Sequence, residues 1–167
     1  MFLDICTEYE EPIIIALQKH TNKHLMEFMR IVSDSIFTRY TAFIIIIAFM
    51  FNIITFKQLA AIVFINILLH LLKKYFYRER PYMNNKNIKI FCPTIKYLHD
   101  NDNYSFPSAH TTFSFLIYFI LKDNNVINSY FIIIPIFIAI SRVFLGAHYL
   151  SDIIFGGLLA KLVSLLI

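Results

Sequence analysis

The apolar residues of this 167-residue chain are gathered into blocks, and each block is close to the length that crosses a lipid bilayer. A transmembrane helix needs roughly 20 mainly apolar residues. Hydrophobic residues make up 58% of the chain, which is above the level of an ordinary soluble domain. The sequence therefore predicts an all-α fold, a polytopic membrane helix bundle.

Five of these blocks predict five transmembrane helices. Pro135 lies inside the fourth block, where membrane helices tolerate proline. Gly156 and Gly157 in the fifth block would let a neighbouring helix approach closely. The predicted spans cover residues 36–56, 59–76, 109–121, 126–144 and 148–166.

Residues 12–34 have a different pattern, in which apolar and charged side chains alternate. Pro12 suits the first turn of a helix. The polar content is too high for a span, so this segment predicts an amphipathic helix at the membrane interface.

These segments predict a single domain over residues 1–167, with six helices in all. The interfacial helix occupies residues 1–35, and the first two spans occupy residues 36–77. A polar loop, which could act as a lid, covers residues 78–106, and the last three spans cover residues 107–167.

The span count places several polar side chains on one membrane face. The end of the second span, the start of the third, the end of the fourth and the start of the fifth all lie there. Charges near the hydrocarbon region are costly and usually functional, so a polar site is expected at this face. Its candidate residues are Lys73, Arg80, Ser108, His110, Arg142, His148 and Asp152.

Two histidines in this set suggest catalysis. His148 and Asp152 are four residues apart on a predicted helix and share a face. A carboxylate that binds one imidazole nitrogen leaves the other nitrogen available as a nucleophile; the alternative is a surface His–Asp pair. His110 could act as a general acid or only cap a helix, and Ser108 could equally be only a helix N-cap.

Three cations, Lys73, Arg80 and Arg142, could bind a phosphate group, because guanidinium and ammonium groups are suited to its oxygens. The alternative for basic residues at a helix end is that they extend to the lipid head groups. That alternative accounts well for Lys74 and Arg78.

The residues of this face form three motifs. They are Lys73-x6-Arg80-Pro81, Pro107-Ser108-Ala109-His110 and Ser141-Arg142-x5-His148-x3-Asp152. Their order and spacing resemble the three-part signature of the type 2 phosphatidic acid phosphatase superfamily, whose members include lipid phosphatases, bacterial acid phosphatases and vanadium haloperoxidases. Ala109 replaces the usual glycine of the family. Alanine retains the backbone N–H but adds a methyl group.

The resemblance implies a role for each motif residue. His148 would attack phosphorus and form a phosphohistidine, Asp152 would orient it, and His110 would protonate the leaving oxygen and then help to activate water. The resemblance implies no metal and no cofactor, because the cations can supply the charge stabilisation that phosphoryl transfer needs. The implied phosphate-binding residues are Lys73, Arg80, Ser108, Ala109 and Arg142.

The leading hypothesis is therefore a membrane phosphatase acting on a lipid phosphate or lipid diphosphate. Candidate substrates are phosphatidate, phosphatidylglycerophosphate, a polyprenyl diphosphate such as undecaprenyl diphosphate, and a lipid A phosphate. The short loop slightly favours phosphatidylglycerophosphate or a polyprenyl diphosphate. A phosphotransferase using the same intermediate, and a non-enzymatic channel or scaffold, are the alternatives.

The net charge of +4 fits an anionic phospholipid or substrate better than a nucleic acid. Cys6 and Cys92 have no metal-ligand or redox spacing and are expected to be unpaired.

The resemblance places the active site on the periplasmic, outer or lumenal face of the membrane, whereas the distribution of Lys and Arg points to the opposite orientation.

Overall fold

The computed structural model describes residues 2–92 and 104–167, and these ranges contain helices, turns and extended connections. The predicted all-α fold is confirmed. The eight α-helices in the described ranges are α1 (Phe2–His20), α2 (Lys23–Arg30), α3 (Phe37–Met50), α4 (Phe56–Phe76), α5 (Pro81–Asn84), α6 (Ala109–Asp123), α7 (Ile133–Phe144) and α8 (Leu150–Ser164). A π-helical segment, Ile31–Ile36, leads into α3, and a 3-10 turn, Ser129–Ile132, leads into α7.

The centre of the bundle is α6, which packs along α7, α8 and α4. One apolar cluster joins α3, α4, α6 and α8 around Ile65, Leu116 and Ala160, which are all nearly inaccessible to solvent. A second cluster joins α1 to α7 and the start of α8 through Ile14, Val143 and Ile153. Apolar burial therefore fixes α1 beside the α7–α8 connection.

The outer surface of the bundle is strongly apolar. Among the described residues, one stretch is long and apolar enough to cross a bilayer. It is Phe56–Asn84, which contains α4 and α5 and has a mean hydropathy of 1.7 in its best window. Shorter apolar helices cover Tyr40–Met50 and Ser129–Phe144. The number of membrane crossings therefore stays a prediction, although apolar surface of this kind is suited to contact with lipid tails. Examples of large exposed apolar side chains are Phe43, Phe64, Ile133 and Leu162.

The N-terminal region differs from its prediction, because residues 12–34 do not form one helix. Asn22 interrupts the region, and its side chain accepts a hydrogen bond from Leu25 N at 2.8 Å to begin α2. Pro12 lies inside α1 and not in its first turn. The buried Ile14 holds this helix against the core, so tertiary packing overrides the unfavourable proline position.

The boundary between the first two spans is also different. Lys57 and Gln58, which separate the predicted spans 36–56 and 59–76, are already helical, because α4 begins at Phe56. Thr55 and Gln58 form a capping box, in which Thr55 Oγ1 accepts from Gln58 N at 3.2 Å and Gln58 Oε1 accepts from Thr55 N at 2.9 Å. This reciprocal pair satisfies two backbone donors at the helix start.

The last two spans are shorter than predicted. Helix α7, in the predicted fourth span, begins only at Ile133. Before it, Asn128 caps the 3-10 turn by accepting a hydrogen bond from Tyr130 N at 3.0 Å. The final helix begins at Leu150, so His148 precedes that helix and does not lie on it. In the predicted loop or lid of residues 78–106, α5 forms directly after Arg80, and residues 93–103 lie outside the described residues.

Two glycines allow close approaches that the bundle needs. Gly146 has φ +70°, and a Cβ there would lie 2.4 Å from the Lys89 carbonyl oxygen. At Gly156, a Cβ would lie 2.9 Å from the Ser108 carbonyl oxygen and 3.0 Å from Thr112 Oγ1. The predicted close approach is therefore present at Gly156. A Cβ at the adjacent Gly157 would make only ordinary contacts, at 3.8 Å.

The two adjacent glycines of α8 provide a matched test of this packing. We expect Gly156→Ala to destabilise the protein by about 1–3 kcal/mol, because the methyl group would overpack against the start of α6. Gly157→Ala should be neutral or stabilising by up to about 1 kcal/mol, since alanine favours helix. Thermal unfolding of both variants in one detergent checks this, and equal melting temperatures would contradict it.

Candidate active site

The short connection between α7 and α8 positions His148. Arg142, in the last turn of α7, is completely buried. Its carbonyl oxygen accepts hydrogen bonds from Ala147 N at 3.0 Å and from His148 N at 3.2 Å. The positive φ of Gly146 turns the chain between them. The backbone at Arg142 and the backbone at His148 are therefore held together directly.

The His148 ring lies between a carboxylate and a guanidinium. Its Nδ1 is 3.4 Å from Asp152 Oδ2, although within the described part of the chain this nitrogen makes no hydrogen bond of normal geometry. Its Nε2 is 3.3 Å from Arg80 Nη1. Arginine can only donate, so a hydrogen bond there requires a lone pair on Nε2. The proton of the neutral ring then lies on Nδ1, facing Asp152.

The segment after α4 carries Arg80. This residue precedes Pro81 at the start of α5, is 4% exposed, and donates from Nη1 to the Ala147 carbonyl oxygen at 2.9 Å. A guanidinium keeps its proton in proteins, so Arg80 is a cation at neutral pH.

Lys73 lies in the last turn of α4, and its Nζ donates to the Tyr104 carbonyl oxygen at 2.6 Å. The positive charges of Arg80, Lys73 and Arg142 all act on the buried His148 ring. Nearby cations favour the neutral imidazole.

The start of α6 adds Ser108 and Ala109 to this region. Ser108 is completely buried and caps α6, since its Oγ accepts from Thr111 N at 3.5 Å and from Thr111 Oγ1 at 3.1 Å. Its backbone N donates to the Asp152 carbonyl oxygen at 3.1 Å. Ala109 is the first residue of α6, where backbone N–H groups have no partner within the helix and the helix dipole favours anions.

His110 is the second residue of α6, and its ring lies 5.7 Å, between centroids, from the ring of Phe37 on α3. His110, Ala109 and Phe113 form part of the wall of an apolar groove of about 480 Å³ between α3, α4 and α6. This histidine therefore lies at the junction between the polar region and an apolar surface.

The structure thus brings Arg80, His148 and Asp152 together through side-chain contacts. Arg142 and Ser108 join them through the backbone, and Lys73 acts on His148 through its charge. Within residues 2–92 and 104–167, no group of three His, Cys, Asp or Glu side chains is arranged to bind a metal ion. Cys6 is partly buried and Cys92 is fully buried.

Arg78 is the main residue that the sequence interpretation missed. The expectation that it extends to the lipid head groups is wrong, because it is buried and its Nη1 lies 2.6 Å from Asp152 Oδ1. Its Nη2 lies 2.9 Å from Glu10 Oε2 on α1. One sequence signal did exist, because Arg78 and Arg80 flank Glu79. Both arginines are buried, while Glu79 between them is exposed.

The fold and the site together define a helical phosphatase-like bundle with a buried His–Asp pair among cations. The sequence profile of the PAP2 superfamily matches residues 54–167. The chain belongs to this superfamily, which confirms the family resemblance found in the three motifs.

Two solved structures have a similar fold. A transmembrane PAP2-type phosphatidylglycerolphosphate phosphatase from Bacillus subtilis gives a TM-score of 0.73 at 22% identity, covering 95% of this chain and 82% of that chain. LpxE from Aquifex aeolicus gives a TM-score of 0.76 at 20% identity, covering 93% of this chain and 92% of that chain. No curated protein matches the chain significantly by sequence.

Proposed function

We propose that this chain is a membrane-embedded phosphatase that hydrolyses a lipid phosphate or lipid diphosphate, with His148 as the nucleophile. The observation that carries this proposal is the placement of the His148 ring. Its Nδ1 faces Asp152, and its Nε2 lies beside Arg80, a cation suited to phosphate oxygens. Membership of the PAP2 superfamily supports the same reaction class.

The first chemical step forms a bond from His148 Nε2 to phosphorus while the bond from phosphorus to the leaving oxygen breaks. Asp152 stabilises the proton on Nδ1 as positive charge develops on the ring. His110 donates a proton to the leaving oxygen. In the second step, His110 accepts a proton from water, the water oxygen attacks phosphorus, and the N–P bond breaks. Inorganic phosphate leaves, and His148 returns to its neutral form.

The charge of the transferring group is stabilised by Lys73, Arg80 and Arg142. Phosphoryl transfer depends mainly on positioning and electrostatic stabilisation, and both arginines are buried, where such interactions are strong. Ser108 and the Ala109 N–H at the start of α6 supply further donors. With this donor set the reaction needs neither metal nor cofactor.

The surroundings of His110 support a lipid as the substrate. The apolar groove between α3, α4 and α6 reaches His110, so an acyl or prenyl chain in the groove would bring a phosphorylated head group to the polar region. Phosphatidylglycerophosphate and a polyprenyl diphosphate such as undecaprenyl diphosphate are the preferred candidates, ahead of phosphatidate and a lipid A phosphate. The named activity of the Bacillus subtilis relative supports the first of these.

The active site faces the periplasmic, outer or lumenal side in this proposal. The excess of Lys and Arg on the site-bearing side argues for the opposite orientation. That count becomes smaller when Arg78 is removed from it, because Arg78 is buried and paired with Glu10 and Asp152.

Phosphate release tests the function directly. Purified protein in detergent micelles with EDTA should release phosphate from at least one of phosphatidate, phosphatidylglycerophosphate and a polyprenyl diphosphate. His148→Ala should lower the rate at least about a thousandfold, because it removes the nucleophile. His24→Ala, which changes an exposed histidine on α2, is the matched control. A requirement for Mg²⁺, or full activity in His148→Ala, would overturn the proposal.

The role of His110 can be separated from that of His148 by the choice of leaving group. We expect His110→Asn to lower kcat for a lipid alkyl phosphate by about 10²- to 10⁴-fold, since general acid catalysis is lost. The loss should be much smaller for p-nitrophenyl phosphate, whose leaving group needs no protonation. Rates for both substrates measure this, and equal losses would show that His110 does not protonate the leaving oxygen.

A further inference from the structure

A buried chain of charged groups extends from the back of Asp152 to α1. Arg78 Nη1 donates to Asp152 Oδ1 and to Ser151 Oγ, both at 2.6 Å. Arg78 Nη2 donates to Glu10 Oε2 at 2.9 Å and to Thr7 Oγ1 at 3.0 Å. Glu10 Oε1 in turn accepts from Ser151 N at 2.6 Å. One guanidinium thus connects two carboxylates from opposite ends of the chain.

The surroundings of this chain exclude most solvent. The exposed fractions of the side chains are 5% for Arg78, 11% for Glu10 and 0% for Asp152. The Tyr149 ring covers the Arg78 guanidinium, with Cζ 3.9 Å from the ring centroid. Ion pairs that are buried in this way keep much of their Coulomb energy, and breaking one leaves an uncompensated charge.

We propose that Arg78 and Glu10 are positioning residues, which fix the orientation of Asp152 and set how much negative charge it presents to His148. This inference rests on the proposed function, in which His148 is the nucleophile. Oδ1 of Asp152 is bound by Arg78, while Oδ2 accepts from Tyr149 N at 2.9 Å and faces His148. The carboxylate is therefore held on both oxygens.

The two positioning residues have opposite electrostatic effects. Arg78 attracts electron density from Asp152 and weakens its hold on a proton at His148 Nδ1. Glu10 competes for Arg78 and partly restores that hold. Loss of the Arg78 charge should therefore make His148 easier to protonate, and loss of the Glu10 charge should make it harder to protonate. A purely structural role would not produce shifts of opposite sign.

Other charged groups also face His148 and remain in every variant. Arg80 and Lys73 belong to α4 and the segment after it, Arg142 to α7, His110 to α6 and Asp152 to α8. These residues are unchanged in every variant, so differences in titration report on the lost Arg78 or Glu10 charge and on its effect on Asp152.

The experiment follows the titration of His148 in ¹⁵N-histidine-labelled full-length protein, with the resonance assigned by its loss in His148→Asn. Arg78→Gln should move the titration to higher pH by about half a unit or more, and Glu10→Gln should move it to lower pH. In the double variant, Glu10→Gln should reverse part of the shift caused by Arg78→Gln. The acidic limb of kcat/KM should move in the same directions.

Activity provides the second readout. Arg78→Gln should lower kcat by about 10- to 100-fold, the usual effect of outer partners of a reactive group, with a smaller change in KM. Arg78→Lys should recover part of the loss, because it retains the charge without the two-pronged geometry. Thermal unfolding identifies any variant that fails to fold, and the isosteric Glu10→Gln then carries the test.

The matched controls come from Arg30 and Glu27 on α2. Their side chains form an ion pair with an N–O distance of 2.5 Å. Glu27→Gln and Arg30→Gln should leave the His148 titration and kcat unchanged. Shifts of equal sign, or no shift, in both Arg78→Gln and Glu10→Gln would overturn the inference. The titration needs no substrate, so a protein that releases no phosphate would refute the proposed function and leave this inference open to test.

Discussion

The buried carboxylate of Asp152 joins the elements on which the polar site depends. Its Oδ2 accepts from Tyr149 N, which closes the start of α8, and faces His148. Its Oδ1 binds Arg78, and its carbonyl oxygen accepts from Ser108 N at the start of α6. An unpaired carboxylate at 0% exposure would cost several kcal/mol. The partners of Asp152 must therefore be in place before this part of the bundle is stable.

The cations divide into two groups because of this carboxylate. Arg78 is compensated by Asp152 and Glu10. The charges of Arg80, Lys73 and Arg142 act instead on the buried His148 ring. Arg78 gives the site its geometry, and the other three cations give it an attraction for anions. In a region of low dielectric this attraction is strong and needs little reorganisation.

Much of this arrangement could be predicted from the sequence. Hydropathy predicts the all-α bundle, and the alternation of the spans predicts that Arg80, Arg142 and His148 lie on one face. The start of α4 could also have been found, since Thr55 and Gln58 have the spacing of a capping box. These features depend on residues close together in the chain, where local patterns are informative.

The position of Arg78 could be predicted only in part. The spacing of Arg78 and Arg80 around Glu79 is visible in the sequence. The burial of Arg78, however, depends on α1, because Glu10 is far from it in the chain. The position of His148 just before α8 was missed for a similar reason. The start of α8 is set by the hydrogen bond from Tyr149 N to Asp152 Oδ2. Hydropathy does not distinguish Tyr149 from its neighbours.

Helix α1 lies outside residues 54–167, which match the superfamily profile, yet it satisfies polar groups around the site. Gln18 donates to the carbonyl oxygens of Lys89 and Phe144 and accepts from Lys89 N. Glu11 accepts from the Tyr149 hydroxyl at 3.3 Å. Each buried polar group left without a partner costs about 1–3 kcal/mol. The segment after α5 and the connection that carries His148 therefore depend on α1 for their conformation. The site is thus built from both parts of the chain, and residues 54–167 alone do not define it.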